Sequence, residues 1–155
     1  DIIFLPGYDR ASGFIIKQAR KIGISSTFIG GDAWSDSLYQ YGDKAVEGSY
    51  YTGHWNINSE EIKVQDYVKG YKNDYPDNEV VFFGLIHDAF FLLADAVKRA
   101  QSLERAKIRE ALANTIDFPG ITGNITMDKN RDPVKPVAIF KFENGASTFI
   151  RAIFP

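Results

Sequence analysis

The sequence predicts an α/β fold in which a parallel sheet is flanked by helices and followed by a C-terminal β meander. Three observations carry that prediction. Two short apolar runs, Ile2-Ile3-Phe4-Leu5 and Thr27-Phe28-Ile29, are each followed closely by glycine, the pattern of buried strands in a parallel sheet. Between them Phe14, Ile15, Ala19 and Ile22 recur at helical spacing, and Gly23 supplies a helix stop. Beyond residue 118 the pattern changes to three strand-like runs joined by turns, one of them Asn144-Gly145, a strong hairpin signal.

The first 30 residues therefore read as a β-α-β unit. Tyr8 and Asp32 then lie just beyond the carboxyl ends of neighbouring parallel strands, where open α/β sheets place their ligands. An aromatic hydroxyl and a carboxylate at such an edge suit a small ligand carrying positive charge. Ser35 is a fair N-cap for a short helix over 35–41, ended by Gly42-Asp43. Residues 45–55, with Val46, Tyr50, Tyr51, Thr52 and Trp55, read as a strand interrupted at Gly48.

After a loop over 56–59, a helix opens at 59–62 with Glu60 and Glu61 in its first turn, where acidic side chains favour the helix dipole. It runs to about Tyr75 with Val64, Tyr67, Val68 and Tyr71 on one face, and Pro76-Asp77-Asn78 breaks it. Residues 81–100 read as the most buried helix, apolar on most sides through Phe90, Phe91, Leu92, Leu93 and Val97. An amphipathic helix over 103–113 follows, then strands over 120–127, 134–143 and 147–154.

Composition narrows the chemistry. A chain of 155 residues, 45% hydrophobic and 25% charged, can bury one ordinary core. Its net charge of -2 offers no basic field, so no nucleic-acid partner is expected. The absence of cysteine rules out disulfides, thiolate nucleophiles and thiolate metal sites. There is no G-x-S-x-G, no phosphate loop and no arrangement of histidine, carboxylate and nucleophile, so no catalytic residue, cofactor or metal is assigned and the chain is not read as an enzyme. Asp128-Lys129-Asn130-Arg131-Asp132 begins like a calcium loop but lacks the glycine and distal glutamate, and reads as a hairpin turn. His87 reads as a structural histidine. The longest apolar run, 82–97, is interrupted by His87, Asp88 and Asp95 and is shorter than the roughly 20 residues of a membrane span. Because the chain enters a strand directly from Asp1, it reads as part of a longer protein.

Several phrases occur together and in a telling order. Phe4-Leu5-Pro6-Gly7-Tyr8 is followed by Ile15-Ile16-Lys17-Gln18-Ala19-Arg20-Lys21-Ile22-Gly23 and Ile29-Gly30-Gly31-Asp32-Ala33-Trp34. Then come Gly42-Asp43-Lys44-Ala45-Val46-Glu47-Gly48, His87-Asp88-Ala89, Leu92-Leu93-Ala94-Asp95-Ala96 and Asp132-Pro133-Val134-Lys135-Pro136. This series resembles the carboxy-terminal half of type I periplasmic solute-binding proteins of the branched-chain amino-acid ABC transporter kind.

The resemblance implies two flavodoxin- or Rossmann-like α/β lobes that close on a small-molecule ligand around a hinge. It assigns residues 1–51 to the second lobe, 52–117 to the hinge and to helices largely of the first lobe, and 118–155 to returning strands of the second. It implies that Asp32 accepts hydrogen bonds from the ligand's α-ammonium and that Tyr8 packs beside it. Against these stand a capping or solvated Asp32 and a Tyr8 that covers the core. Trp34 has two readings, a wall of the cleft or a cover for the short helix. Phe82 and Phe83 fall near an apolar ligand contact of the family, with ordinary helix core as the other reading.

The function implied is delivery of a branched-chain or related amino acid to an ABC permease, in the periplasm or outside the cell, with a lipid anchor in some relatives. The alternative is an extracellular sensor domain of the same fold, taking an amide, urea or aromatic acid. The missing amino-terminal half or a homodimer mate is the expected protein partner.

Overall fold

The computed structural model describes all residues, 1–155. The elements run β1 (Ile2–Phe4), α1 (Asp9–Lys21), β2 (Thr27–Gly30), α2 (Leu38–Gly42), a 3-10 turn (Asp43–Val46) and β3 (Tyr50–Gly53). Three helices follow, α3 (Ile62–Asp74), α4 (Val80–Ala100) and α5 (Arg105–Ala113). The last third holds β4 (Phe118–Gly120), β5 (Gly123–Met127), β6 (Pro133–Val134), β7 (Val137–Glu143) and β8 (Ala146–Ile153). These fold as two compact units, Asp1–His54 with Val137–Ile153, and Trp55–Pro136 with Phe154–Pro155.

The first unit is a five-stranded sheet in the order β1-β2-β3-β7-β8. β1, β2 and β3 are parallel neighbours, and the β7–β8 hairpin extends the sheet antiparallel from β3. The predicted β-α-β unit is present. Gly23, at φ +86°, takes the left-handed conformation that ends α1, and Asn144 and Gly145, both at positive φ, make the hairpin turn.

The core forms where α1 and α2 meet the sheet: Ile16, Phe28, Leu38, Val46 and Phe142 lose essentially all exposure. Phe142 is the hub, with its ring 5.1 Å from Tyr51, 5.4 Å from Tyr39 and 6.2 Å from Trp34. Truncating such a buried aromatic costs about 3–5 kcal/mol. The sheet, its parallel half and the terminal hairpin match the expected α/β class.

Two local expectations are corrected. The short helix begins at Leu38, not at Ser35, because the Ser35 hydroxyl is held by Asp9 and Ser37. The strand foreseen over 45–55 is confined to Tyr50–Gly53: residues 43–46 wind into a 3-10 turn that drops Val46 into the core, and Gly48 turns the chain at φ +78°.

The second unit packs α3 and α4 around Trp55, Val64 and Val80. Trp55 donates its indole N–H to the Val81 carbonyl at 2.9 Å, and its ring lies so close to Gly84 that a Cβ there would sit 2.5 Å from it. β4, β5 and β6 form a separate antiparallel sheet in this unit. The last third of the chain divides between the two units at Pro136/Val137.

The reason is Asp88. It is 2% exposed, and its carboxylate accepts hydrogen bonds from the Ile121 amide (2.7 Å), the Thr122 amide (2.8 Å) and the Thr122 hydroxyl (2.6 Å), which fastens the β4–β5 turn to α4. The Lys135 ammonium donates to the same Thr122 hydroxyl oxygen, and burial lowers the Lys135 pKa. The strand pattern after 118 was legible, but it belongs to two sheets.

α4 is not the most buried helix. Its buried positions are Val80, Gly84, Asp88, Leu92 and Ala96, a single stripe at every fourth residue, while Phe82, Phe83, Ile86, Phe90, Phe91 and Leu93 remain exposed. Apolar composition shows what a helix could bury, not what covers it. By length and composition alone α4 could cross a membrane. Asp88, satisfied by residues 121 and 122, ties it instead to its own unit.

Candidate functional site

Three adjacent parallel strands end on one edge of the first unit, and each is followed by a polar side chain: Tyr8 after β1, Asp32 after β2 and His54 after β3. The loops that carry the first two are tied together. The Trp34 indole N–H donates to the Gly7 carbonyl at 2.9 Å. The Asp9 carboxylate accepts the Ser35 amide at 2.9 Å and the Ser35 hydroxyl at 2.8 Å. These three bonds join the residue before Tyr8 and the residue after it to the segment just beyond Asp32.

The spacing of Gly30-Gly31-Asp32-Ala33-Trp34 now has a physical cause. A Cβ on Gly30 would lie 2.1 Å from the Trp34 ring, so only glycine lets the indole fold back under the strand end. Trp34 is 2% exposed and belongs to the core of this unit. Of its two readings, the structure of the unit favours a covering role over an exposed wall. Tyr8 and Asp32 stand outward from this platform, Tyr8 80% exposed and the Asp32 side chain 61% exposed. Asp32 does not cap α2, and its side-chain hydrogen bond runs from Oδ2 to His54 Nε2, at 2.9 Å.

Phe82 and Phe83 lie on α4 in the second unit, half exposed, with the Phe83 ring 5.1 Å from Tyr71. His87 sits between the rings of Tyr67 (4.9 Å) and Phe91 (4.5 Å), a structural setting. The Asp128 carboxylate accepts the amides of Asn130 (2.8 Å) and Asp132 (2.9 Å) and so serves its own turn.

Sequence reasoning assigned no role in the site to His54, Asp9 or Asp88. The signal for His54 was the strand boundary. A strand drawn through to Trp55 hides His54 inside it, whereas a strand that ends at Gly53 puts it on the same edge as Tyr8 and Asp32. Asp9 carried a usable signal, an acid two residues past a strand-end glycine. Asp88 carried none, because its partners are more than 30 residues away.

What this edge can do follows from its groups: a part-free carboxylate and an open aromatic ring on a braced backbone can hold a cation such as a primary ammonium.

Comparison with known proteins agrees. A leucine-binding protein of Thermotoga maritima superposes with a TM-score of 0.88 at 32% identity, covering 99% of this chain and 45% of its own. The branched-chain amino acid transporter substrate-binding protein of Streptococcus pneumoniae, solved with isoleucine, gives a TM-score of 0.83 at 27% identity, over 100% of this chain and 45% of that one. The leucine-, isoleucine-, valine-, threonine- and alanine-binding protein of Pseudomonas aeruginosa is 25% identical over 132 residues, 84% of this chain and 35% of its own length. This chain thus spans less than half the length of these relatives. All three are solute-binding proteins, not enzymes. The family model for periplasmic binding proteins matches residues 1–147, and the chain belongs to that family.

Proposed function

We propose that this chain carries the ammonium-binding side of an amino-acid site, in the substrate-binding component of an ABC transporter for branched-chain or related amino acids. The observation that carries the reading is Asp32, a carboxylate raised on a braced strand-end loop and left largely open to solvent beside Tyr8. A charge-assisted hydrogen bond from the ligand's ammonium contributes on the order of 1.5–3 kcal/mol. Tyr8, on the neighbouring strand end and exposed, offers its ring to the same cation. Trp34 acts from beneath by holding Gly7. Phe82 and Phe83 are candidates for contact with an apolar ligand side chain. Ligand capture and delivery to a permease then take place outside the cytoplasmic membrane.

The test is isothermal titration with leucine, isoleucine, valine and phenylalanine, repeated on Asp32→Ala. Binding by one or more of them, weakened about tenfold to hundredfold in the variant, is the expected result. Binding that survives unchanged in Asp32→Ala would remove the carboxylate from the site. Phe82→Ala and Phe83→Ala in the same titration test the apolar contacts.

The exposed face of α4 belongs to the same proposal. Ile86, Phe90 and Leu93, spaced along one side of α4, are 59%, 67% and 47% exposed, an apolar face with no cover in this chain. The relatives have more than half their length outside the region matched here, and that remaining polypeptide is the partner that covers this face. Sedimentation of the chain with the separately produced remaining half should show a one-to-one complex. A chain that stays monomeric and leaves the added half unbound, or that forms only homodimers, contradicts it.

A further inference from the structure

Asp32 is not alone at its strand end, and its neighbour is a group whose charge depends on pH. The His54 imidazole places Nε2 2.9 Å from Asp32 Oδ2, and this is the side-chain contact each of them makes. The contact is set by backbone. β2 and β3 are parallel neighbours, with Gly30 opposite Tyr51, so the residues that leave the two strands emerge side by side. Gly53 is paired to Ala138 on β7, and a Cβ on it would meet the Phe140 ring at 2.8 Å. His54 therefore leaves from a pinned backbone, not from a free loop.

We infer that His54 is the positioning residue of this site: neutral, it donates to Asp32 Oδ2 and turns Oδ1 toward the ligand's ammonium, and protonated, it competes with that ammonium for the carboxylate. The inference rests on the reading of Asp32 given above and adds its regulation. The other ionisable groups at this edge leave the carboxylate to these two contenders. Asp9 is bound to Ser35, and Asp36 accepts the Ser147 amide at 2.8 Å. Tyr8 and Arg10 are the remaining ionisable groups just after β1, and the side-chain partner of Asp32 is neither of them but His54. On the β7–β8 side the charged residue in register is Arg151, opposite Ile139, which itself faces Thr52.

Imidazoles as a class change charge between about pH 5 and pH 8. An imidazolium paired with a partly exposed carboxylate favours that pair by about two- to fivefold, the range of exposed ion pairs. Leucine affinity should fall by that factor as His54 becomes charged. Acidification then favours release and neutral pH favours capture.

Two readouts on the whole chain test this, with His87 as the internal reference. In the first, the His54 ring nitrogen shifts are read by NMR at pH 8 in the native chain and in Asp32→Asn. A change in the Nε2 shift on loss of the carboxylate acceptor is expected, and ring shifts that do not move overturn the inference whether or not any amino acid binds. In the second, leucine affinity is measured at pH 8 and pH 5.5 in the native chain, in His54→Gln and in His54→Ala. The native chain should lose about two- to fivefold at the lower pH. His54→Gln, which keeps a donor without a titrating group, should lose that pH dependence. His54→Ala should bind more weakly at pH 8 and also be flat. An equal pH response in the native chain and His54→Gln overturns the role of His54 and leaves the Asp32 site standing. Absence of leucine binding at both pH values sinks the amino-acid reading instead, and the first readout alone then decides on His54.

Discussion

Replacing Asp88 should unfasten the second unit, and the cost can be worked from three distances. Its oxygens accept at 2.7, 2.8 and 2.6 Å from Ile121 and Thr122, and the residue is 2% exposed. Hydrogen bonds to a charged acceptor contribute about 1.5–3 kcal/mol each. Their sum overstates the loss, because Asp88→Ala also removes the cost of burying a carboxylate. Breaking a buried charged network on one side costs about 3–5 kcal/mol.

Asp88→Asn is milder. One amide oxygen can serve both Thr122 donors, but the NH2 then faces the Ile121 N–H, for a loss of about 2 kcal/mol. Hydrogen exchange at the amides of Ile121 and Thr122 reads this directly. Protection should fall by about a hundredfold to several thousandfold in Asp88→Ala, and by about thirtyfold in Asp88→Asn, at 1.4 kcal/mol per factor of ten. Protection within about threefold of the native chain in Asp88→Ala would refute the view that this carboxylate holds the β4–β5 turn.

Two other predictions concern the first unit. Gly30→Ala places a methyl group 2.1 Å from the Trp34 ring, so the indole must shift and its bond to Gly7 weakens; a loss of about 1–3 kcal/mol is expected in thermal unfolding, and an unchanged Tm would show that the platform is loose. Burial, with the hydrogen bond to Glu47, pushes the Tyr39 hydroxyl from 10.0 up to about 12. A folded value above the unfolded one means stability that is full below about pH 10 and lost as the pH rises toward 12. Tyr39→Phe should flatten that alkaline decline and remove one late-ionising tyrosine from the ultraviolet titration; a variant that declines as steeply as the native chain contradicts the assignment.

Much of the first unit was legible because its signals are local. Apolar runs ending at glycine, the helix between them and Asn144-Gly145 each state a conformation within a few residues, but not the buried face: α1 buries Ser12, Gly13, Ile16 and Ala19, while Phe14, Ile15 and Ile22, with Ile2 and Phe4 of β1, are exposed. Tyr8 and Asp32 followed from that topology, since parallel strands bring their carboxyl ends to one edge. What failed was set by distant partners. Ser35 looks like an N-cap until Asp9, 26 residues earlier, takes its hydroxyl. Val46 looks like a strand residue until the space beside Gly42 takes it into the core. The exposure of Phe90 and Phe91 is invisible in a helix that is apolar on nearly every side, and the role of His54 depended on one residue of strand boundary.

The central claim is that the strand-end carboxylate recognises an ammonium group. Leucine and 4-methylpentanoic acid, which is leucine without its amine, separate that claim from simple apolar binding. Amide shifts of the isotope-labelled chain would be followed while each is added. The account predicts that leucine moves the resonances of Tyr8, Asp32 and Ala33, that the deaminated acid leaves them in place, and that Asp32→Ala raises the leucine concentration needed by about tenfold to hundredfold. Equal shifts from both compounds, or an unchanged leucine midpoint in Asp32→Ala, would contradict it.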